Sequence, residues 1–159
     1  MSVARRVSSD HQLARLLQIG FVLEEVVEAR AAKHATESAE VDMEVRSMLE
    51  DAAAESERHR RRLAALIEDL DAETVAFEEI QTLVEARYEA DEEFDGVLYD
   101  QLCNEETAYK FYDDLIEAIE GSEAEFGVDR DRLLDVLREI RADEEAGVEE
   151  VTRLMERRT

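Results

Sequence analysis

The sequence contains no proline and no tryptophan, and its 159 residues include only five glycines and one cysteine. So few prolines and glycines exclude a loop-rich β-sandwich, and a hydrophobic share of 45% is too high for a disordered acidic tail. The single cysteine, Cys103, excludes an intramolecular disulfide and a metal site built from four thiolates of one chain. It also predicts a reducing compartment. The composition as a whole predicts a helical domain.

Long hydrophobic runs are missing too. No segment reaches the roughly 18 uninterrupted apolar residues that a membrane-spanning helix needs. Residues 1–10 lack the apolar core of a secretory signal peptide. Neither a glycine-rich phosphate loop nor a Gly-x-Ser-x-Gly segment is present, so a transferase or hydrolase is not supported. We therefore expect a soluble cytoplasmic protein that does not enter a membrane.

Positive charge is scarce. The sequence has 43 acidic and 19 basic residues, and its formal net charge is −24. Only Lys33 and Lys110 are lysines. A surface this negative repels phosphate backbones and anionic lipids and attracts cations, so neither nucleic acid nor a membrane is an expected partner. The acid-rich, lysine-poor composition resembles that of cytoplasmic proteins from extreme halophiles, in which molar salt screens the carboxylates.

Hydrophobic periodicity predicts four long amphipathic helices and one short one. Their approximate extents are 10–36, 45–70, 75–88, 91–120 and 129–154. Ser9 and Gln12 form a capping-box pattern before the first helix, and Gly121 is expected to close the third helix in a left-handed conformation. The short helix lies in the longer connection between two helical hairpins and carries the crossover. We therefore predict an all-α fold, a single four-helix bundle domain over residues 9–158.

Three polar side chains fall in phase with the apolar stripes of the long helices. His59 lies on the second helix, Glu105 on the third and Glu144 on the fourth. A carboxylate or an imidazole buried singly in hydrocarbon is costly, and such groups persist when they are paired, hydrogen-bonded or bound to metal. One group from each of three helices predicts that they converge inside the protein.

The segment Glu105–Tyr112, EETAYKFY, resembles the Glu-x-x-Ala-x-x-Phe-Tyr pattern of ligand-bearing helices in ferritin-like proteins, particularly the rubrerythrin branch. Ala52–Arg60 looks like the partner helix that carries a histidine. The resemblance covers nearly the whole chain, from Asp10 to Met155. It implies a ferritin-like bundle in which each hairpin supplies a Glu and a Glu-x-x-His pair, so that six side chains hold two iron or manganese ions.

On the first helix the resemblance implies a metal ligand at Glu28, which precedes Ala31 by three residues. Glu24 and Glu25, about one turn earlier, are the alternatives at this position. The choice among the three carboxylates stays open at the level of sequence, and Glu28 is the first expectation.

Two ligand positions of the family pattern carry other residues in this chain. Ser56 stands three residues before His59, where the family has glutamate, and Gly147 stands three residues after Glu144, where it has histidine. Glu55, one turn before the histidine, is an alternative donor. The expected metal ligands are therefore Glu28, His59, Glu105 and Glu144.

Four ligands predict a mononuclear or incomplete di-metal site, since one ion needs about four to six donors and water can complete its shell. The expected metal is iron, with manganese or zinc as alternatives. No Cys-x-x-Cys segment is present, so the rubredoxin module of full rubrerythrins is absent and peroxidase activity of that type is not expected.

Two functions remain open. One is metal oxidation, storage or handling, and the other is a non-catalytic ferritin-like scaffold that has lost its site.

Other features have simpler interpretations. His11 and His34 are expected at the boundary of the core, with an auxiliary site near His34 left open. The arginines within 58–62 are expected to pair with neighbouring carboxylates on a solvated helix face. The first half of the first helix is apolar almost all round, which predicts a homodimer with a contact through that helix.

Overall fold

A computed structural model describes residues 7–37, 41–70, 72–74, 78–80, 82 and 96–158. All regular secondary structure in these ranges is helical, so the expected all-α fold class is confirmed. The four long helices are α1 (Asp10–Glu37), α2 (Met43–Glu68), α3 (Val97–Glu120) and α4 (Arg130–Arg157). Of the expected short helix over Val75–Tyr88, residues 78–80 and 82 are helical, and the remainder lies outside the described residues.

Polar side chains cap the beginnings of the helices. The Gln12 backbone N–H donates to Ser9 Oγ at 3.2 Å, as the capping-box pattern predicts. The Gln12 side chain, however, accepts from the backbone N–H of Ser8 at 2.8 Å. Asp42 accepts from the backbone N–H three residues further on at the start of α2, and Asp129 does the same for α4. The sequence therefore locates these helix starts through ordinary capping chemistry.

The end of α3 differs in one respect from the expectation. The helix stops before Gly121, but this glycine has φ −80° and ψ −3°, so the expected left-handed closing residue is wrong. Its N–H continues the helical pattern by donating to the Glu117 carbonyl at 3.0 Å. The one positive φ among the described residues belongs to Gly96, at +112°, immediately before α3. Glycine is needed at that position because an L side chain would be strained there.

The helices form two antiparallel pairs, α1 with α2 and α3 with α4, and the pairs pack against each other. One hydrophobic cluster contains the beginnings of α1 and α4 and the ends of α2 and α3, and a second cluster contains the opposite ends. Because α2 ends in the first cluster and α3 begins in the second, the connection between them links opposite ends of the helices. This agrees with the expected crossover.

A polar layer separates the two hydrophobic clusters. On every long helix, a buried polar residue lies where one cluster gives way to the other. The residues of this layer include Glu24, Ser56, His59, Gln101, Asn104, Glu105 and Glu144. Apolar packing on both sides supplies the main stabilisation of the fold, and it forces these polar groups to satisfy one another or to bind something. This polar layer is therefore the part of the fold in which we look for a functional site.

Three of the four arginines within 58–62 on α2 pair with acids, as expected. Arg60 contacts Glu28, Arg61 contacts Glu57 one turn earlier, and Arg62 contacts Glu139 on α4. Exposed pairs of this kind contribute about 0–1 kcal/mol each. They account for these basic residues without an anionic ligand.

The apolar residues of the first half of α1 are buried or half-buried within the single chain. Val22 is 1% exposed and Leu23 is 6% exposed, while Leu16 and Phe21 pack against the first hydrophobic cluster. The excess apolar surface behind the expected homodimer is therefore largely covered by the chain itself, and the dimer stays a prediction. No helix in the described ranges is both long and apolar enough to cross a membrane.

Candidate metal centre

Five side chains of the types that can ligate a metal ion converge in the polar layer, and they come from all four long helices. They are Glu24 on α1, Glu55 and His59 on α2, Glu105 on α3 and Glu144 on α4, and we call them the donor cluster. Glu55 is half-buried and the other four are buried. Glu55 and His59 are one helical turn apart and so share one face of α2. Asp143 adds a fifth acid at the solvent edge, where its side chain is 49% exposed.

His59 is surrounded by carboxylates on both sides of its ring. Its Nδ1 lies 3.3 Å from Glu24 Oε2 and 3.1 Å from Glu144 Oε1, and its Nε2 lies 2.9 Å from Asp143 Oδ2. Burial by itself lowers the pKa of His59, but hydrogen bonds to Glu144 and Glu24 outweigh it and raise the pKa to about 11. The metal-free protein therefore holds an imidazolium here, donating from both nitrogens.

Glu105 and Glu144 share a hydrogen bond between their carboxyl groups. Burial raises the pKa of both, and the hydrogen bond raises the pKa of Glu144 further while lowering that of Glu105. The shared proton therefore resides on Glu144. Gln101 Nε2 donates a second hydrogen bond to Glu105 Oε1 at 2.9 Å.

Glu55 lies where the donor cluster approaches solvent. Burial raises its pKa to about 7, His59 opposes this shift, and the nearby acids Asp143, Glu105 and Glu24 add to it. His59 is the one cationic member of the donor cluster, and the other four members are acids. The cluster is consequently rich in negative charge and poor in positive charge.

One residue of the donor cluster and two of its neighbours have buried polar atoms without a hydrogen-bond partner in the described part of the chain. Glu24 is fully buried, and its Oε1 has no partner, although its Oε2 accepts from the Tyr112 hydroxyl at 2.6 Å. Gln101 Oε1 and Asn104 Nδ2 are also unpartnered, and both residues line a cavity of about 10 Å³ beside Glu105. Buried polar atoms of native proteins normally have a partner, so these atoms point to a bound ion or water.

The donor atoms form two overlapping groups of three. One comprises Glu24, His59 and Glu144, and the other comprises Glu55, Glu105 and Glu144; in each, the donor atoms lie within 4.8 Å of one another. Glu144 belongs to both. A third group, Glu55, His59 and Asp143, joins the cluster to the solvent edge. This arrangement can coordinate a cation on either side of Glu144.

The structure brings together three of the four residues expected as ligands, namely His59, Glu105 and Glu144, and it places Glu28 elsewhere. Glu28 accepts a hydrogen bond from Arg60 Nη2 and its side chain is 27% exposed. Four residues along a helix correspond to about 6 Å, which separates Glu28 from the polar layer. Glu24 takes its place in the donor cluster, as one of the two sequence alternatives.

The structure also shows where the remaining sequence alternatives, Glu25 and Glu55, lie. Glu25 is half-buried and belongs to no group of donors, whereas Glu55 lies in the donor cluster beside the buried Ser56. Sequence analysis missed Asp143, and no periodicity could have found it, because it is one of many acids on exposed helix edges.

Gly147 has a steric role that the sequence did not reveal. A Cβ atom at this position would lie 2.5 Å from Glu105 Oε2 and 2.6 Å from its carboxyl carbon. The absence of a side chain on α4 therefore gives the Glu105 carboxylate its space. A histidine here, as in the family pattern, would displace that carboxylate.

His34 lies outside the donor cluster and pairs with a different acid. Its Nε2 lies 2.8 Å from Asp100 Oδ2, and Arg30 Nε also donates to Asp100 at 3.2 Å. Asp100 is 5% exposed. The three side chains form a partly buried hydrogen-bonded group at the boundary between α1 and α3. This accounts for His34 as a structural residue.

We expect Tyr112→Phe to lower the free energy of unfolding of the metal-free protein by about 1–3 kcal/mol, the cost of a buried acceptor that loses its donor. The hydroxyl donates to Glu24 Oε2 in a site with no exposure to solvent. Urea unfolding monitored by circular dichroism measures the change. Tyr109→Phe, at a half-buried position on the same helix, is the control. Equal effects of the two substitutions would show that the Glu24 contact is not what stabilises the fold.

Comparison with known proteins adds no further constraint on the site. No protein family, no curated protein and no solved structure matches this chain. The function must therefore be argued from the donor cluster, and the relationship to ferritin-like proteins stays a prediction.

Proposed function

We propose that this protein binds divalent transition-metal ions through Glu24, Glu55, His59, Glu105 and Glu144. The observation that carries the proposal is the placement of four acids and one imidazole, from four helices, in a layer between two hydrophobic clusters. Such a layer is expensive to maintain as unpaired charge, and a cation is the partner that neutralises it. The unpartnered Glu24 Oε1 supports the same conclusion.

The chemistry of the donors favours iron or manganese. Carboxylate oxygens suit hard ions such as Mn²⁺, and a single imidazole extends the range to Fe²⁺ and Zn²⁺. Cys103 is absent from every group of candidate donors among the described residues, so no thiolate directs the site towards softer ions. Iron bound there would supply one-electron redox chemistry, for which the carboxylates favour the higher oxidation state.

The charge balance favours two ions. When Glu24, Glu55, Glu105 and Glu144 are ionised and His59 is neutral, the donor cluster carries four negative charges, which two divalent ions neutralise. A single ion would leave two buried negative charges to be removed by protonation. The overlap of the two donor groups at Glu144 supplies a bridging ligand for the second ion. The proposal thus goes beyond the mononuclear or incomplete di-metal site expected from sequence.

We further propose that the fold is a ferritin-like four-helix bundle of the rubrerythrin type. Two antiparallel helix pairs, a connection between opposite helix ends, and donors on all four helices support this relationship. Ser56 and Gly147 depart from the family pattern. Glu55 takes over the donor role near Ser56, and the space at Gly147 is used by Glu105.

We expect wild-type protein, purified in high salt, to retain iron or manganese, and His59→Ala to lose most of it. The substitution removes the imidazole that contacts Glu24 and Glu144. Elemental analysis and calorimetric titration with Mn²⁺ measure the metal content and affinity. The matched control is His11→Ala, an exposed histidine of α1. Equal metal content in wild type and the His59 variant would remove His59 from the site.

A non-catalytic scaffold is the second candidate function. One observation favours it: the donor cluster is already hydrogen-bonded without metal. His59 has carboxylate partners at both ring nitrogens, and Glu144 shares a proton with Glu105. A donor cluster satisfied by protons in this way needs no metal to remain folded. Wild-type protein that binds no stoichiometric Fe²⁺, Mn²⁺ or Zn²⁺ would establish this alternative. A homodimer in a reducing, cytoplasmic location is part of either proposal.

A further inference from the structure

A surface groove between α2 and α4 reaches the donor cluster from solvent. It has a volume of about 200 Å³, and its lining includes Glu55, Glu105 and Asp143. The buried cavity of about 10 Å³ is lined by Ala52, Glu55 and Glu105 as well, so groove and cavity meet at the same residues. The groove therefore brings solvent to Glu55 and Glu105, which also line the buried cavity.

The opposite side of the donor cluster is closed. Glu24 and Tyr112 are each 0% exposed, and Leu63 and Ala108 nearby in the first hydrophobic cluster are also fully buried. A hydrated cation cannot cross closely packed hydrocarbon without losing its water. Within the described part of the chain, the groove is the side from which polar ligands reach the donors.

Small side chains keep the groove open. Its walls are formed by Ala52 and Ala54 on α2 and by Ala146 and Gly147 on α4. Of the neighbouring helix pairs, α2 and α4 make the fewest contacts with each other. Larger residues at these positions would bring the two walls into contact and close the groove.

The charges around the groove attract cations. Asp51 and Glu150 lie at its exposed rim, Asp143 and Glu55 lie further in, and Arg58 is the one basic residue in its lining. A cleft lined by one sign of charge raises the local concentration of the opposite ion and the rate of association. The side chain of Asp143 is 49% exposed and Glu55 is half-buried. Their carboxylates therefore offer successive oxygen ligands between solvent and the buried donors.

We propose that this groove is the route by which metal ions enter and leave the centre, with Asp51 and Glu150 collecting the ion and Asp143 and Glu55 passing it inward. The inference rests on the proposed metal-binding function and adds the path and the residues that serve it. The cargo is a small hydrated divalent cation, because the groove narrows to a cavity with room for about one water molecule.

The test is Ala146→Phe, which fills the groove from an exposed position that belongs to none of the donor groups. Stopped-flow tyrosine fluorescence follows Mn²⁺ uptake, since the chain has four tyrosines and no tryptophan. We expect uptake at least about tenfold slower, because access then requires the helices to separate. Release into excess chelator should slow equally, so that the equilibrium affinity and stoichiometry stay at the wild-type values.

The matched control is Ala142→Phe, at an exposed position one turn earlier on α4 and outside the groove lining. It should take up Mn²⁺ at the wild-type rate. Normal uptake by Ala146→Phe would overturn the route while leaving the metal site intact. Absence of Mn²⁺ binding by wild-type protein would instead refute the metal-binding function itself, so the two failures are distinguishable.

A second variant tests the collecting role of the rim. In Asp51→Asn/Glu150→Gln, we expect uptake at low salt to slow by about threefold to tenfold, and its dependence on ionic strength to weaken. Glu44→Gln/Glu149→Gln, which makes the same charge change at exposed positions of α2 and α4 outside the groove lining, is the control. Equal rates for the two double variants would show that general surface charge, and not the rim, attracts the ion.

Discussion

Glu144→Gln should weaken binding of both metal ions by about 100-fold or more. This is more than the 10- to 100-fold loss of metal affinity that typically follows removal of a residue that only orients a ligand. Glu144 is the residue common to both donor groups, so its loss removes a ligand on each side. Calorimetric titration with Mn²⁺ and elemental analysis of the purified variant measure the effect. By contrast, Glu55→Gln or Glu24→Gln removes a donor from one side only, and we expect these variants to retain the ion on the other side.

Folding of the Glu144→Gln variant is expected to be preserved. The amide resembles the protonated carboxyl that Glu144 carries in the metal-free protein, because its N–H₂ can donate to Glu105 and its oxygen can accept from His59. A metal-free melting temperature close to that of wild type would show this. Glu145→Gln, an exposed neighbour, is the control and should bind two ions normally. A Glu144→Gln variant that still binds two Mn²⁺ would exclude Glu144 as the shared ligand.

In the presence of chelator, the stability of the protein should fall as the pH rises from about 5.5 to 9. Burial raises the pKa of Glu55 from 4.5 to about 7, and carboxylate partners raise the pKa of His59 from 6.5 to about 11 against the effect of burial. Between the ordinary pKa of each group and its raised pKa in the folded protein, the native state binds more protons than the unfolded chain. The free energy of unfolding therefore decreases as the pH rises through that range. Each proton adds a slope of at most about 1.4 kcal/mol per pH unit.

The two groups act in successive pH windows. The His59 contribution is complete below pH 6.5 and is lost as the pH rises towards about 11, while the cost of ionising Glu55 grows between 4.5 and about 7. Saturating Mn²⁺ should reverse the trend, because metal binding releases the protons that these groups hold. Melting temperatures at constant ionic strength, with chelator and with Mn²⁺, measure both curves.

Variants assign the pH dependence to the donor cluster. His59→Gln should reduce the slope of the chelator curve above pH 6.5, and Glu55→Gln should reduce it between 5.5 and 7, while the raised pKa values of Glu105 and Glu144 leave part of the slope in both variants. Glu57→Gln, which replaces an acid of the same helix that lies outside the donor cluster and has a side chain 45% exposed, should keep the wild-type slope. If all three variants followed the wild-type curve, the dependence would come from the general acidic surface, and the paired state of His59 would be excluded.

Much of the site could be predicted from the sequence because burial imposes a period on each helix. His59, Glu105 and Glu144 interrupt leucine stripes, and a polar group in phase with a stripe must lie inside the protein. Their convergence follows once the helices pack, and the structure places all three in the same layer. The choice of Glu28 over Glu24 could not be settled in this way. Both lie on a similar face of α1, and the difference between them is one turn along the axis.

The remaining features depend on neighbouring helices and so could not be read from one segment. Glu28 faces Arg60, which neutralises it, whereas Glu24 faces the Tyr112 hydroxyl and His59. Asp143 gains its importance only because His59 Nε2 points towards it. In the sequence, Gly147 stands where the family pattern has histidine. In the structure, the absence of a side chain at Gly147 leaves room for the Glu105 carboxylate.

The amino-acid sequence by itself determined an acidic all-α protein, the positions of most helix ends, and three polar residues that had to be buried. These properties follow from composition, capping and periodicity, which act within a single helix. The tertiary structure decided which carboxylate of α1 joins the cluster, that Glu144 is common to two donor groups, and where the cluster meets solvent. Those outcomes depend on the axial register and separation of helices far apart in the chain, which no local pattern specifies.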